Sequence, residues 1–156
     1  MYHGTFWARA LAASNQAELV GIWDDDAGRG HEGARAVGTR YVPELARLLD
    51  ACDAICITSE TARHADLVER AAAAGCHVLC EKPLATTMAD CDRIRRAVDA
   101  AGITFMQGYP KRFDPASHEL KRLVDSGDLG TVTLVRVRHG HLYGLRRPDG
   151  PARVDA

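Results

Sequence analysis

The chain has 156 residues, 46% of them hydrophobic, enough for one domain of ordinary size with a buried core. Twenty basic against twenty-one acidic residues give a net charge of −1 with no basic block, which argues against nucleic acid as a partner. No apolar run approaches the roughly 20 residues that cross a bilayer. Residues 1–20, interrupted by Arg9, Asn15, Gln16 and Glu18, lack a secretory core, so a cytoplasmic setting is expected.

In chain order, residues 5–14 suit a helix and 17–24 a short apolar strand ending in Asp24. Residues 28–37 read as a helix closed by Gly38, 39–42 as a short strand stopped by Pro43, and 44–51 as a helical stretch with three leucines. A strand without polar alternation follows at 53–59, then a helix over 61–74 ended by Gly75, and a strand at 76–80. The pattern repeats with a helix at 88–101, Gly102 and a strand at 103–107. Strands apolar on both faces that alternate with helices predict an α/β fold, a doubly wound parallel sheet of the Rossmann kind.

After Gly108 the rhythm breaks at Pro110 and Pro115, which places a domain boundary there: residues 1–108 are expected to form the Rossmann-like domain, and 109–156 a linker and the start of an α+β second domain. Within that second part, 116–126 reads as a helix and 131–138 as an alternating strand of a different sheet.

The five cysteines, Cys52, Cys56, Cys76, Cys80 and Cys91, include no C-x-x-C pair and read as small hydrophobes rather than disulfides or zinc ligands. His139 and His141 would share one face of a strand, but without a third ligand nearby no metal site is expected.

Asp24 ends the second strand, where an acid accepts hydrogen bonds from the adenosine ribose and repels a 2′-phosphate. With Asp25 and Asp26 beside it and no arginine directly after, NAD is expected over NADP, Arg29 being the residue close enough to weaken that preference. The glycine fingerprint that should precede such a strand is represented only by Gly4 before the first helix. Taken as the third glycine, it puts the first strand and both phosphate-approaching glycines before Met1. In a sheet ordered 3-2-1-4-5-6 that strand would lie between 17–24 and 53–59, and the covering helices would be spaced for it.

The sharpest local pattern is Glu81-Lys82-Pro83 at the carboxyl end of a buried strand, the edge where open α/β sheets bind ligands. A lysine there either donates to a substrate oxygen during hydride transfer or is simply solvated before a turn proline.

Three segments decide between those readings. Residues 74–85, AGCHVLCEKPLA, closely resemble the A-G-K-H-V-L-C-E-K-P-L-A signature of the Gfo/Idh/MocA family of NAD(P)-dependent oxidoreductases. Thr58, Ser59 and His64 are similar to the family's T-P-N/S-x-x-x-H segment. Gln107-Gly108-Tyr109 with Arg112-Phe113-Asp114-Pro115 resembles the stretch where these enzymes leave the nucleotide domain. Glu60 departs from the pattern, its charge being mildly unfavourable beside a pyrophosphate.

The resemblance implies hydride transfer between NAD(P) and a hydroxyl-bearing carbon of a sugar, inositol or related polyol. Lys82 would be the catalytic residue orienting the substrate. Thr58, Ser59 and His64 would line the cofactor cleft, Glu81 would lie near the nicotinamide ribose, and Gly4, Asp24, Pro83, Gln107 and Arg112 would complete the cofactor-binding set. It also implies a cis Lys82-Pro83 bond, and a homo-oligomer in the intact protein. Helical spacing equally leaves His64 as a capping or surface histidine. The family's second-domain acid/base would fall beyond Ala156. The competing reading is therefore a catalytically inactive remnant that keeps a nucleotide-like scaffold as an interaction module. A methyltransferase fits less well, having no need of a lysine at this edge.

Overall fold

The computed structural model describes residues 2–138, with side chains from Gly4 onward. The chain divides into two compact units, the second beginning at Arg112.

The first unit is organised by three parallel strands in the order β1 (Ala54–Ile57), β2 (His77–Glu81) and β3 (Phe105–Gly108). Cys56 stands opposite Leu79, and Cys80 opposite Gln107. Parallel neighbours need a crossover, supplied by α4 (His64–Ala73) between β1 and β2 and by α5 (Met88–Ala101) between β2 and β3.

Local chemistry fixes where the helices start and stop. Thr87 Oγ1 accepts from the Asp90 N–H at 3.1 Å and donates to Asp90 Oδ2 at 2.8 Å, a side-chain N-cap that opens α5. Gly102, at φ 63°, ends the same helix in the left-handed conformation that glycine takes without strain.

The core sits here. Val68 and Ala71 of α4 are fully enclosed, packed with Leu45 and Leu49 of α3 (Leu45–Leu49), Ile57, Val78, Cys80 and Ile94. Such burial contributes about 1.5–3 kcal/mol per large side chain, and this part of the chain collects most of it.

The amino-terminal part is built differently. Helices α1 (Tyr2–Ala12) and α2 (Ala27–Val37) touch each other, and α2 is capped by Asp26, whose carboxylate accepts the Arg29 N–H at 2.8 Å. At Gly30 a Cβ would stand 2.3 Å from the Tyr41 ring, so α2 can lie this close to Tyr41 only with glycine there.

The strands expected at 17–24 and 39–42 are not formed as such. They meet in a single parallel bridge between Ile22 and Tyr41, with Ile22 N–H donating to the Arg40 carbonyl (2.9 Å) and Val42 N–H to the Ile22 carbonyl (2.8 Å). The pairing partner is the one a doubly wound sheet requires, but the other side of 17–24 borders a cavity instead of a strand. With a short partner segment and no side chain of its own in the buried core, 17–24 pairs at this single bridge only.

In the second unit, α6 (Pro115–Asp125) opens on Asp114, which accepts the Ala116 N–H at 3.0 Å, with proline at the first helical position. Residues 131–138, expected as a strand, are irregular and exposed. Alternating sequence makes a strand only beside a partner, and the described part of this unit offers none. His139 and His141 lie outside the described residues.

Candidate functional site

The carboxyl ends of the three strands bring the sequence-predicted residues of the first unit to one edge. From β1 the chain passes through Thr58 and Ser59 into the turn Thr61–Arg63, from β2 through Glu81 into Lys82-Pro83, and β3 ends at Gln107 and Gly108. The amino end of α1 reaches the same edge, because a Cβ on Gly4 would lie 3.0 Å from Thr58 Oγ1. The Gly4 position therefore tolerates no larger residue without movement of Thr58, as a glycine at a close helix–strand contact should.

His64 is buried and points inward. Its Nδ1 lies 3.1 Å from the carbonyl oxygens of both Pro83 and Leu84, and its Nε2 lies 3.2 Å from that of Ser59. The ring thus fastens the exit of β1 to the exit of β2, which is neither a surface nor a helix-capping role. The Lys82-Pro83 peptide bond is cis.

Glu81 is buried as well and its carboxylate is engaged. Oε1 accepts from Trp7 Nε1 at 2.6 Å and Oε2 from the backbone N–H of Lys82 at 3.0 Å. Trp7 is a residue that sequence reasoning missed, since nothing local connects an aromatic on α1 with a carboxylate 74 positions later. Burial, and after it the charge of Glu81, pushes the thiols of Cys56 and Cys80 up to about 12. Both stay protonated near neutral pH, which removes them as nucleophiles.

Lys82 is exposed, and among the described residues its ammonium makes no hydrogen bond or ion pair. Gln107 carries the complementary signal, a buried side-chain Nε2 without a hydrogen-bond partner among the described residues. An unsatisfied buried donor costs about 1–3 kcal/mol and fits an acceptor from a polar ligand, such as a carboxamide or ribose oxygen. On that observation, the donor set of this edge fits a nucleotide.

Asp24 stands at the far side of the edge with its carboxylate partly taken. Oδ1 accepts from Arg29 Nη2 at 2.8 Å and from the Asp26 N–H at 2.9 Å. Arg29 also bonds Asp25 at 2.8 Å, and Arg63 pairs with Asp25 while its guanidinium lies 5.8 Å from the centre of the Trp23 ring. Desolvation is the largest single influence and raises the Asp25 carboxyl, but hydrogen bonding shared with Asp24, the bond from Arg63 and the charges of Arg63 and Arg29 together hold it below the usual range. The Asp25–Arg63 link, overlooked in the sequence, joins the 17–24 segment to the β1 exit. Arg112 belongs to the second unit, where its carbonyl accepts from His118 Nε2 at 2.6 Å.

Among the described residues, no cluster of three or more His, Cys, Asp or Glu is placed to hold a metal ion, and no helix is long and apolar enough to cross a membrane.

Residues 2–109 match the model of the GFO_IDH_MocA oxidoreductase family, described as an NAD-binding Rossmann fold. The chain is 40% identical over 126 residues to inositol 2-dehydrogenase 3 of Saccharopolyspora erythraea, an alignment that covers 79% of this chain and 37% of the relative. Among solved structures it is similar to UDP-N-acetylglucosamine 3-dehydrogenase from Acidithiobacillus ferrooxidans, at 30% identity and a TM-score of 0.74 over 78% of this chain and 40% of that one. The fold also matches scyllo-inositol dehydrogenase from Lactobacillus casei with bound NAD(H) and scyllo-inositol, at 23% identity and a TM-score of 0.78, covering 85% and 41% of the two chains. The chain thus spans about two fifths of the length of the relatives it matches. Strand order, the Gly4 contact with Thr58, the engaged Glu81 and the family match over residues 2–109 converge on one statement: the chain belongs to the GFO_IDH_MocA oxidoreductase family and carries its NAD-binding Rossmann domain.

Proposed function

We propose that the protein serves hydride transfer between NAD and a hydroxyl-bearing carbon of an inositol, sugar or related polyol. The observation that carries this reading is the contrast at one strand end between an exposed Lys82, whose ammonium has no partner among the described residues, and a buried Glu81 whose carboxylate is held by Trp7 and the Lys82 N–H. When bound, nicotinamide would accept or return the hydride. Lys82 supplies a positive charge and a proton donor for the substrate oxygen, whose negative charge grows as the hydride moves. Glu81 cannot take that part, because Trp7 and its own strand end hold its carboxylate. Its work is to keep the β2 exit in place.

The remaining roles follow from position. Thr58 and Ser59, held by His64 against Pro83, form the wall of the cofactor cleft, and Gln107 offers its free donor there. Gly4 keeps α1 close to that wall. Asp24 receives the adenosine ribose, favouring NAD over NADP, although Arg29 competes for the same carboxylate. Arg112 and residues 109–156 belong to the linker and second domain, which in the complete protein would hold the acid/base and the surfaces of a homo-oligomer. Five free cysteines accord with a reducing, cytoplasmic setting.

The test is titration with NAD and NADP followed by amide chemical shifts, which map even weak binding. NAD should perturb Thr58, Ser59, Glu81, Lys82 and Gln107, more tightly than NADP, and Lys82→Ala should leave that affinity nearly unchanged. In the complete enzyme the same substitution should lower kcat by about 10²-fold, as for a group acting only on the reacting oxygen. Tighter binding of NADP, or turnover that survives Lys82→Ala, would overturn the reading.

A further inference from the structure

Two arginines stand at the Asp24 end of the site edge, and they are held differently. Arg29 of α2 spreads over three carboxylates: its Nη2 donates to Asp24 Oδ1 and Asp25 Oδ1, each at 2.8 Å, and its Nη1 lies 4.0 Å from Asp26 Oδ2. Arg63 comes from the other side, on the turn after β1, and its Nη1 donates to Asp25 Oδ2. Asp25 therefore gives one oxygen to each guanidinium. Among the described residues it is also the one carboxylate with which Arg63 pairs.

Arg63 is supported from a second direction. Its guanidinium carbon lies 5.8 Å from the centre of the Trp23 ring, within the range of cation–π attraction. A side chain already placed by a ring has less freedom to lose when one anion replaces another. The planar fork that grips a carboxylate also fits a phosphate. Asp25 follows directly after Asp24, the acid read above as the receptor of the adenosine ribose. Consecutive Cα atoms are about 3.8 Å apart, so the Asp25–Arg63 pair is one residue from that hydroxyl and from any phosphate carried on it.

We propose that Arg63 is a masked receptor for a ribose 2′-phosphate and that Asp25 is its mask, so that Asp25 more than Asp24 decides how strongly the chain refuses NADP. This rests on the nucleotide reading of the site. Removing the Asp24 charge leaves Arg63 paired and Arg29 still bonded to Asp25. Removing the Asp25 charge frees Arg63, while Arg29 stays engaged by Asp24 through Nη2 at 2.8 Å and Nε at 3.4 Å. Three aspartates facing two arginines become two facing two, and the new anion meets a guanidinium that Trp23 holds ready.

The probes are adenosine and adenosine 2′-monophosphate, titrated into the 156-residue chain and followed by amide chemical shifts. Neither carries a pyrophosphate or a nicotinamide, so both read this end of the site alone. The wild type should bind adenosine at least as tightly as the monophosphate. Asp25→Asn should tighten the monophosphate about ten-fold and change adenosine by less than about two-fold. Asp24→Asn should tighten the monophosphate by no more than about three-fold. Adding Arg63→Gln to Asp25→Asn should abolish the gain. Asp25 is 48% exposed, so its loss spares the core, and Asp25→Ser should repeat the result because the charge is what matters.

Three results would overturn the proposal while adenosine still binds: no gain in Asp25→Asn and Asp25→Ser, an equal gain in Asp24→Asn, or a gain that survives Arg63→Gln and so assigns the phosphate to Arg29. Failure of the wild type to bind adenosine and NAD alike would sink the nucleotide reading itself, and this proposal with it.

Discussion

Residues 17–24 and 53–59 are apolar segments of the same kind, yet the second becomes β1, laddered to β2 over four residue pairs, while the first makes one bridge to Tyr41. The core follows the same division, for its buried cluster contains no residue before Leu45. The difference lies in neighbours rather than composition. β1 has β2 on one edge and α4 packed against it, whereas 17–24 has a short partner on one side and the cavity on the other. Strand propensity is realised only where a ladder and a covering layer arrive together.

The comparison can be broken most directly by placing a charge on each side of it. Val68→Asp, in the fully enclosed centre of α4, should cost about 4 kcal/mol or more and unfold the unit, while Val20→Asp, half-exposed beside the cavity, should cost about 1 kcal/mol. Equal losses in chemical denaturation would mean that the two sides are equally built. A smaller effect separates the polar fastenings. His64→Ala leaves the carbonyls of Ser59, Pro83 and Leu84 without their shared partner and should cost about 2–3 kcal/mol. Asp24→Ala, which removes the solvent-accessible Arg29 pair and one hydrogen bond from the Asp26 N–H, should cost about 0.5–1 kcal/mol.

Trp7→Phe tests the tie between the two sides. It deletes the 2.6 Å bond to Glu81 while keeping most of the ring volume, and should cost about 1.5 kcal/mol. The smallest effect is a pH dependence. Arg93 joins Glu69, Asp66 and Asp90 across α4 and α5, and the Thr87 hydroxyl and then Arg93 hold the Asp90 carboxyl below its ordinary value. A depressed acid stabilises the fold above the unfolded pKa of about 3.9 and loses that effect as pH falls through the folded value. The stability gap between the wild type and Arg93→Gln should therefore be full at about pH 6 and close as the pH drops below about 4. A gap that widens in acid would show that the guanidinium acts through other groups.

Much of this was legible in the sequence. The strands at 53–59, 76–80 and 103–107, the helices between them and the stops at Gly75 and Gly102 rest on local patterns, and local patterns survive folding. Glu81-Lys82-Pro83 at a strand end also put the site edge within reach. What escaped was long-range. The Trp7–Glu81 and Asp25–Arg63 contacts join residues with no shared motif, and the irregular 131–138 segment has the alternation of a strand without the partner that would make it one. His64 stood between alternatives because spacing fixes a face of a helix but not what packs on it.

The central claim is that β1 is laddered on one edge and open on the other, and residue-by-residue hydrogen exchange of the native chain tests it most directly. Ile55 and Ile57, whose N–H groups face β2, should exchange slowly, while Ala54 and Cys56, one residue away on the same strand, should exchange on the timescale of local fluctuation. That alternation is the predicted result. Uniform protection along Ala54–Ile57 would mean that both edges of β1 are paired in solution and would contradict the account.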